Sequence, residues 1–372
     1  MKKIVIVCGE ISGFSYAKMI MKYIKKINPS VEILGAGGKS LEKYGIRIIE
    51  EYPSSGFIGF TDVFLHIISF ARFLKRAEKK IKLEKPDLIV FIDNPGFNLQ
   101  LAKRLGDLKK IYYIPPKVWA HDYKRIKIIK KYFSSVITIF PFENAIYQKE
   151  NIPSFYFGHP IVDLIESQNI KEDFWIKTGL NKTKRIIGLF PGSRKSEISN
   201  ILPVLLKIAI EISRTLPDLQ FIISSASEEM KNIISSIQKK FNTYFPVWEE
   251  NSQSIVYVSS LCFCASGTMN LEVALIGKPM CVFYKMNFIN YLILKFMIKL
   301  PYISPVNIIY GKKIVPEFLQ NMPYKEIQKR CILLLDNKEE IEKQKNSFQE
   351  IKKICGTPII SEKISEFILK NV

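Results

Sequence analysis

Apolar runs recur along this chain with helical stretches between them. The first half carries KIVIVC (3–8), VEILGAG (31–37), DLIVFID (87–93), IYYIP (111–115), SVITIFP (135–141) and SFYFG (154–158). The second half continues with IIGLFPG (186–192), LQFIISS (219–225), IVYVSSLCFCASG (255–267) and PMCVFY (279–284). Continuous apolar runs of this length are the signature of strands covered on both faces, as parallel sheets are. Their alternation with amphipathic helical segments predicts a doubly wound α/β fold. A polar stretch at 166–184 followed by a restart near Arg185 divides the chain into two Rossmann-like domains, at about 1–165 and 180–350. With 372 residues there is room for two cores. Open parallel sheets bind ligands beyond their C-terminal strand ends, where small and polar residues gather in this sequence. Two such domains facing each other would share one cleft.

Two segments are more apolar than a surface helix requires. From Phe60 a helical stripe runs through Val63, Phe64, Ile67, Ile68, Ala71 and Leu74, while Leu65 and Phe73 fall on the opposite side. NFINYLILKFMIKLPYI (287–303) is similar, interrupted by Lys295 and Lys299. Neither supplies the roughly 20 uninterrupted apolar residues of a membrane span. They read either as core helices or as an interfacial surface, and the second reading draws on the basic cluster Lys75, Arg76, Lys79, Lys80 and Lys82. On that reading Phe57, Leu65 and Phe73 face a lipid surface.

A formal net charge of +20 raises nucleic acid as a partner. No helix-turn-helix, zinc-finger or RNA-binding signature accompanies it, and the charge is spread over many helices, so nucleic acid is not expected. Phosphorylated substrates or an anionic membrane surface account for it equally well. Six cysteines lie mostly inside apolar runs, without the spacing of a zinc site, and read as reduced buried thiols of a cytosolic protein. The N-terminal run is too short for a signal peptide.

Candidate chemistry concentrates at strand-to-helix turns. LFPGSRKSEI (189–198) places Pro191, Gly192 and Ser193 in a tight turn, with Arg194 beside it and Glu197 opening a helix. CASGTMNLEVALIGKPM (264–280) repeats the arrangement, with Ser266, Gly267 and Thr268 before a helix from about Leu271. Such turns aim backbone N–H groups and the positive end of a helix dipole at one spot, which suits a phosphate. One turn alone would be an ordinary connection; two, with Arg194 and Glu272, point to a nucleotide diphosphate. Neither is a Walker loop or a G-x-G-x-x-G fingerprint.

These segments, together with GEISG (9–13), FIDNPGFN (91–98), YYIPPKVWA (112–120), PFENAIYQKENIPSFYFGHPIVD (141–163), ASGTMNLE (265–272) and PVNIIYGKKIVPEFLQ (305–320), resemble the lipid-A-disaccharide synthases, inverting glycosyltransferases of the two-domain GT-B type. The resemblance spans nearly the whole chain. It implies a hexosyltransferase that uses UDP-2,3-diacylglucosamine and 2,3-diacylglucosamine 1-phosphate (lipid X) to make a β-linked disaccharide 1-phosphate and UDP. No cofactor or metal is expected, since the chain has no D-x-D motif. The first domain would bind the acceptor and face the membrane, the second would bind the UDP-sugar, and residues 351–372 would form a helix packing back toward the first. A cytoplasmic protein on the inner face of the inner membrane follows, and a homodimer is compatible with it.

The resemblance also distributes roles. Asp93 becomes the base that takes the acceptor proton, against its plainer reading as a turn-forming aspartate. Glu10 is the second candidate, and Ser12 a phosphate or acceptor ligand. Arg194 would offset charge on the departing UDP, with Ser193, Ser266, Gly267 and Thr268 around the diphosphate. Glu272 would accept ribose hydroxyls or, more plainly, balance a helix dipole from its first turn. His159 would touch substrate or buttress a hinge, while Asn307, Glu317 and Gln320 match a segment near the donor. Departures from the family pattern fall mainly in the first half: Phe14 and Gly96 stand where aspartates are usual, Ala17 and Lys18 replace Gly-Ala, Asp62 replaces glutamate, and His121 replaces an aromatic. Other readings are a different UDP-sugar enzyme of the same fold (a 2-epimerase or a peptidoglycan glycosyltransferase) and a homologue that has lost catalysis.

Overall fold

The computed structural model describes residues 1–8, 11–38, 41–42, 46–51, 60–120, 122–165, 170, 172–285, 301–320 and 322–372, with backbone only at 11–12 and 60–68. Contacts divide the chain into two compact units, Met1–Asp163 with Gly356–Val372, and Leu164–Cys355. Both are parallel α/β sheets flanked by helices.

In the first unit β1 (Lys3–Cys8), β2 (Glu32–Gly37), β3 (Arg47–Glu51), β4 (Leu88–Ile92), β5 (Lys110–Tyr113), β6 (Ser135–Thr138) and β7 (Ser154–Tyr156) lie in the order β3-β2-β1-β4-β5-β6-β7. Every described pairing is parallel, and Cys8 stands beside Ile92 where the order reverses. Helices α1 (Ile11–Ile27), α2 (Phe60–Glu84), α3 (Pro95–Arg104), α4 (Arg125–Tyr132) and α5 (Pro141–Lys149) make the crossovers. The last helix, Ile360–Lys370, completes this unit. Its buried stripe Ile360, Ile364 and Ile368 has helical spacing. Ser365 Oγ donates to the Ile20 carbonyl of α1 at 3.0 Å. Its first-turn donors are met from elsewhere in the chain, Asp163 accepting Ile360 N–H at 3.1 Å and Ser361 N–H at 2.6 Å.

The lipid-facing assignment of Phe73 is corrected here. Its side chain is fully buried, with its ring 5.0 Å from that of Phe97, and Leu74, Ala77 and Ile81 join it in the core. A 25-residue helix crossing a sheet must bury one stripe, and position 73 falls on it. Phe57 and the side chain of Leu65 lie outside the described residues. Phe73→Ala should therefore destabilise the protein by about 3–5 kcal/mol in urea unfolding; a loss below about 1 kcal/mol would return Phe73 to the surface. The basic cluster is also partly spent internally. Arg76 and Lys80 both bind the buried Glu50 carboxylate, at 2.7 and 2.8 Å, and Lys82 pairs with Glu78 at 2.8 Å.

In the second unit β8 (Ile186–Phe190), β9 (Gln220–Ser224), β10 (Val247–Trp248), β11 (Leu261–Ala265), β12 (Met280–Tyr284) and β13 (Glu317–Leu319) lie in the order β10-β9-β8-β11-β12-β13, again parallel. Between the strands run α6 (Glu172–Thr178), which precedes β8, then α7 (Lys195–Thr215), α8 (Glu228–Lys240), α9 (Ser252–Val258), α10 (Thr268–Ile276) and α11 (Pro305–Tyr310). The run 255–267 is not one strand. Its first four residues belong to α9, whose Asn251 cap accepts Gln253 N–H at 2.9 Å, and only Leu261–Ala265 is β. The apolar segment 287–303 lies almost wholly outside the described residues. All six cysteines are free and buried, and burial pushes the Cys8 and Cys262 thiols up to about 12.

Candidate active site

In an open parallel sheet the strand-order reversal leaves a crevice at the carboxyl ends of two neighbouring strands. In the first unit those strands are β1 and β4. Chain leaving β1 passes through Gly9 and Glu10, which lie outside the described residues, into the first turn of α1, where Ser12 sits with backbone alone described. Chain leaving β4 enters Asp93 and Asn94, both left-handed at φ 51° and 41°. Two consecutive non-glycine residues in this region are costly, about 1–3 kcal/mol each, and the surroundings hold them there. Asp93 N–H donates to the Tyr113 carbonyl at 3.1 Å. Its own carbonyl accepts the Tyr112 hydroxyl at 2.9 Å and Asn98 Nδ2 at 2.6 Å. Asn98 is wholly buried and ties Ile92 and Asp93 to α3. Ile114, at the end of the neighbouring β5, is left-handed as well, at φ 57°. Tyr112, Asn98 and Ile114 thus shape this turn; in the sequence they stand inside the segments 91–98 and 112–120 that carry the family resemblance, with no role attached to them.

In the second unit the reversal falls between β8 and β11, where Phe190 stands beside Cys264. Both small-residue turns emerge from these two strands on the same sheet edge. In the first, Gly192 takes φ 109°, Ser193 is exposed, and Arg194 is the N-cap of α7. In the second, Ser266 N–H donates to the Phe283 carbonyl at 3.1 Å and Ser266 Oγ to the Ile303 carbonyl at 2.7 Å. Gly267 N–H reaches Asn270 Oδ1 at 3.2 Å, and Thr268 is exposed as the first residue of α10. That helix begins three residues earlier than expected. Glu272 consequently stands beyond the first turn, which removes its helix-dipole reading. Burial raises its carboxyl pKa, against the Gln253 Nε2–H that donates to it at 3.1 Å.

A model of the lipid-A-disaccharide synthetase family matches residues 4–370. The chain is 34% identical over 322 residues to lipid-A-disaccharide synthase 1 of Legionella pneumophila (strain Lens), covering 86% of this chain and 84% of that protein. To the lipid-A-disaccharide synthase of Geobacter sulfurreducens it is 30% identical over 371 residues, 99% of this chain and 97% of the relative. The chain belongs to the lipid-A-disaccharide synthase family. Among solved structures, the UDP-GlcNAc 2-epimerase of Neisseria meningitidis bound to UDP-GlcNAc superposes with a TM-score of 0.69 at 13% identity, covering 99% of this chain and all of that one. MurG of Acinetobacter baumannii gives 0.60 at 11% identity over 100% of both chains. At these identities they establish the GT-B fold shared by UDP-sugar enzymes.

Two segments that carry the family resemblance, 112–120 and 141–163, meet in the first unit beyond β5, β6 and β7. Trp119 Nε1–H donates to Glu143 Oε1 at 2.8 Å, and the Trp119 and Phe142 rings meet edge to face at 5.1 Å. Phe140 lies 5.3 Å from the His159 ring. His159 is buried, and its Nδ1 accepts Ile161 N–H at 3.2 Å. In this structure it buttresses the chain after β7. Burial lowers its pKa to about 3, with the Lys117 ammonium adding to the fall. Glu143 is 2% exposed, and its Oε2 has no hydrogen-bond partner among the described residues. Burial raises its carboxyl to about 7, opposed by the Trp119 bond and by Lys117.

These two groups tilt stability in opposite directions. Folded Glu143 holds its proton more tightly than the unfolded chain, so its cost is absent below about pH 4.5 and grows to full size as pH rises to about 7. Folded His159 resists protonation, so its cost is absent above about pH 6.5 and grows as pH falls toward 3. Glu143→Gln keeps the acceptor for Trp119 and removes only the first effect. Relative to wild type it should gain about 2 kcal/mol of stability between pH 5 and pH 8. Urea unfolding at the two pH values measures this; parallel behaviour of both proteins would place a stable partner on Oε2.

Asn307, Glu317 and Gln320 cluster at β13. Asn307 is wholly buried and donates to the Val315 carbonyl at 3.0 Å and to Glu317 Oε1 at 2.8 Å, while its Oδ1 accepts Ile314 N–H at 2.8 Å and Val315 N–H at 3.0 Å. Glu317 further accepts Ser304 N–H at 2.7 Å and Ile303 N–H at 3.1 Å. Both side chains are committed to fixing the 303–317 loop. Gln320, left-handed at φ 55°, donates its N–H to the Tyr284 carbonyl at 2.9 Å.

Proposed function

We propose that this protein transfers a diacylglucosamine unit from UDP-2,3-diacylglucosamine to 2,3-diacylglucosamine 1-phosphate, with inversion, releasing UDP. Family membership along almost the entire chain is the observation that carries this reading. The strand-order reversals support a division of labour, with acceptor chemistry assigned to the first unit and the UDP-sugar to the second. Asp93 takes the acceptor hydroxyl proton as that oxygen bonds to the anomeric carbon, and the bond from that carbon to UDP breaks. Arg194 and the two turns, at Ser193 and at Ser266–Thr268, stabilise the charge that UDP carries away. Glu272, about one helical turn after the second of these turns, accepts ribose hydroxyls in place of the Gln253 amide that it now accepts. His159, Asn307 and Glu317 act through the loops they brace.

Acylated substrates reside in a bilayer, so the enzyme works at its surface. No described helix is long and apolar enough to cross a membrane. Exposed lysines on α2 (Lys75, Lys79) and α4 (Lys127, Lys130, Lys131) supply attraction of about 1 kcal/mol each near an anionic surface. Purified protein given both substrates should release UDP only when the acceptor is present; equal release without the acceptor would mean hydrolysis and overturn the transfer reading.

A further inference from the structure

The first turn of the second unit already holds an anion, supplied by the chain itself. Glu197 Oε2 accepts Ser193 N–H at 2.9 Å and Arg194 N–H at 3.3 Å, and its Oε1 accepts Arg194 Nη1 at 3.2 Å. Gly192 makes room for this, since a β-carbon there would collide with the Glu197 carboxylate. The donors that Glu197 engages are the ones a diphosphate at this turn requires, two consecutive backbone N–H groups at a helix N-terminus and the adjacent guanidinium. A phosphate oxygen and a carboxylate held on one donor set are like charges in contact, and they exclude each other.

We infer that Glu197 is a placeholder anion, which keeps the turn and Arg194 in their binding arrangement before the substrate arrives and is displaced by the diphosphate of the UDP-sugar. This rests on the assignment of the diphosphate to the turn at Ser193. Preorganisation and competition then come from one side chain. In the unloaded state Glu197 satisfies two backbone donors and the arginine, so the cradle does not collapse. On loading, the ligand takes over the cap of α7, and the helix keeps an acceptor at its N-terminus. Release of UDP is favoured by the returning carboxylate, which re-forms its ion pair with Arg194. Glu197 thereby sets the product affinity of the site without touching the sugar.

Glu197→Gln tests this, because the amide keeps an oxygen for the capping bonds and lacks the charge that competes. Calorimetric titration with UDP, and with inorganic pyrophosphate, is compared for wild type, Glu197→Gln and Arg194→Ala. Expected is UDP and pyrophosphate binding about fivefold tighter in Glu197→Gln, the scale of one partly exposed ion pair, and weaker in Arg194→Ala, with thermal stability of Glu197→Gln near wild type. Unchanged or weaker binding in Glu197→Gln, with Arg194→Ala still weakened, would overturn the placeholder role and leave the diphosphate at this turn. UDP binding indifferent to Arg194→Ala would remove the diphosphate from the turn, and the placeholder with it.

Discussion

Asparagine in place of Asp93 should all but abolish transfer while leaving UDP affinity close to wild type. The carboxamide preserves size and polar contacts but cannot accept a proton, so the loss belongs to the chemical step and falls on kcat. General-base contributions of this kind run to about 10²–10⁴-fold. Asp93 and Asn94 occupy the left-handed region at the carboxyl end of a central strand, pinned by Tyr112, Tyr113 and Asn98. Steady-state turnover and UDP titration of Asp93→Asn decide the matter. A variant retaining most of its turnover would make Asp93 structural and move the base to Glu10.

Arg194→Ala should lower turnover by at least about 10²-fold, the scale seen when one preorganised donor to a developing negative charge is removed. Negative charge grows on UDP as its bond to the sugar breaks, so the guanidinium matters more in the transition state than in the ground state. Lysine should rescue only in part, since it offers a point charge in place of a planar fork. The ion pair with Glu197 holds the guanidinium at the N-terminus of α7. Full activity of Arg194→Ala, or a strict requirement of the wild type for a divalent metal, would contradict this role.

Interior strands were legible in the sequence because burial on both faces leaves an uninterrupted apolar run, as KIVIVC and IIGLF do. Three edge strands were not. β3 reads RIIEE, β10 is two residues long, and β13 is EFL. An edge strand has a neighbour on one side only and tolerates charge, so its apolar signal is short and broken. The 255–258 stretch failed for the opposite reason, since IVYV is as apolar as a strand yet closes a helix. Short apolar runs do not separate the two.

Sequence located the turns of the candidate site but not what their atoms do. Gly192, Ser193 and Arg194 were legible as a strand-to-helix turn from their residue types. The self-supplied anion was not, although Glu197 three residues after the N-cap carries the spacing of a capping box. Asn307, Glu317 and His159 were legible as members of family segments, while their commitment to loop bonds depends on residues distant in sequence. Glu143 reads as an ordinary acid in a helix first turn; only the packing of Trp119 against it shows a buried carboxyl.

The most direct test of the central claim is the linkage in the product. Purified protein, UDP-2,3-diacylglucosamine and 2,3-diacylglucosamine 1-phosphate should yield one equivalent of UDP per disaccharide 1-phosphate, with an anomeric proton coupling in NMR that marks a β-linkage. An α-linked product, a donor epimerised at carbon 2, or UDP released without a disaccharide would contradict it.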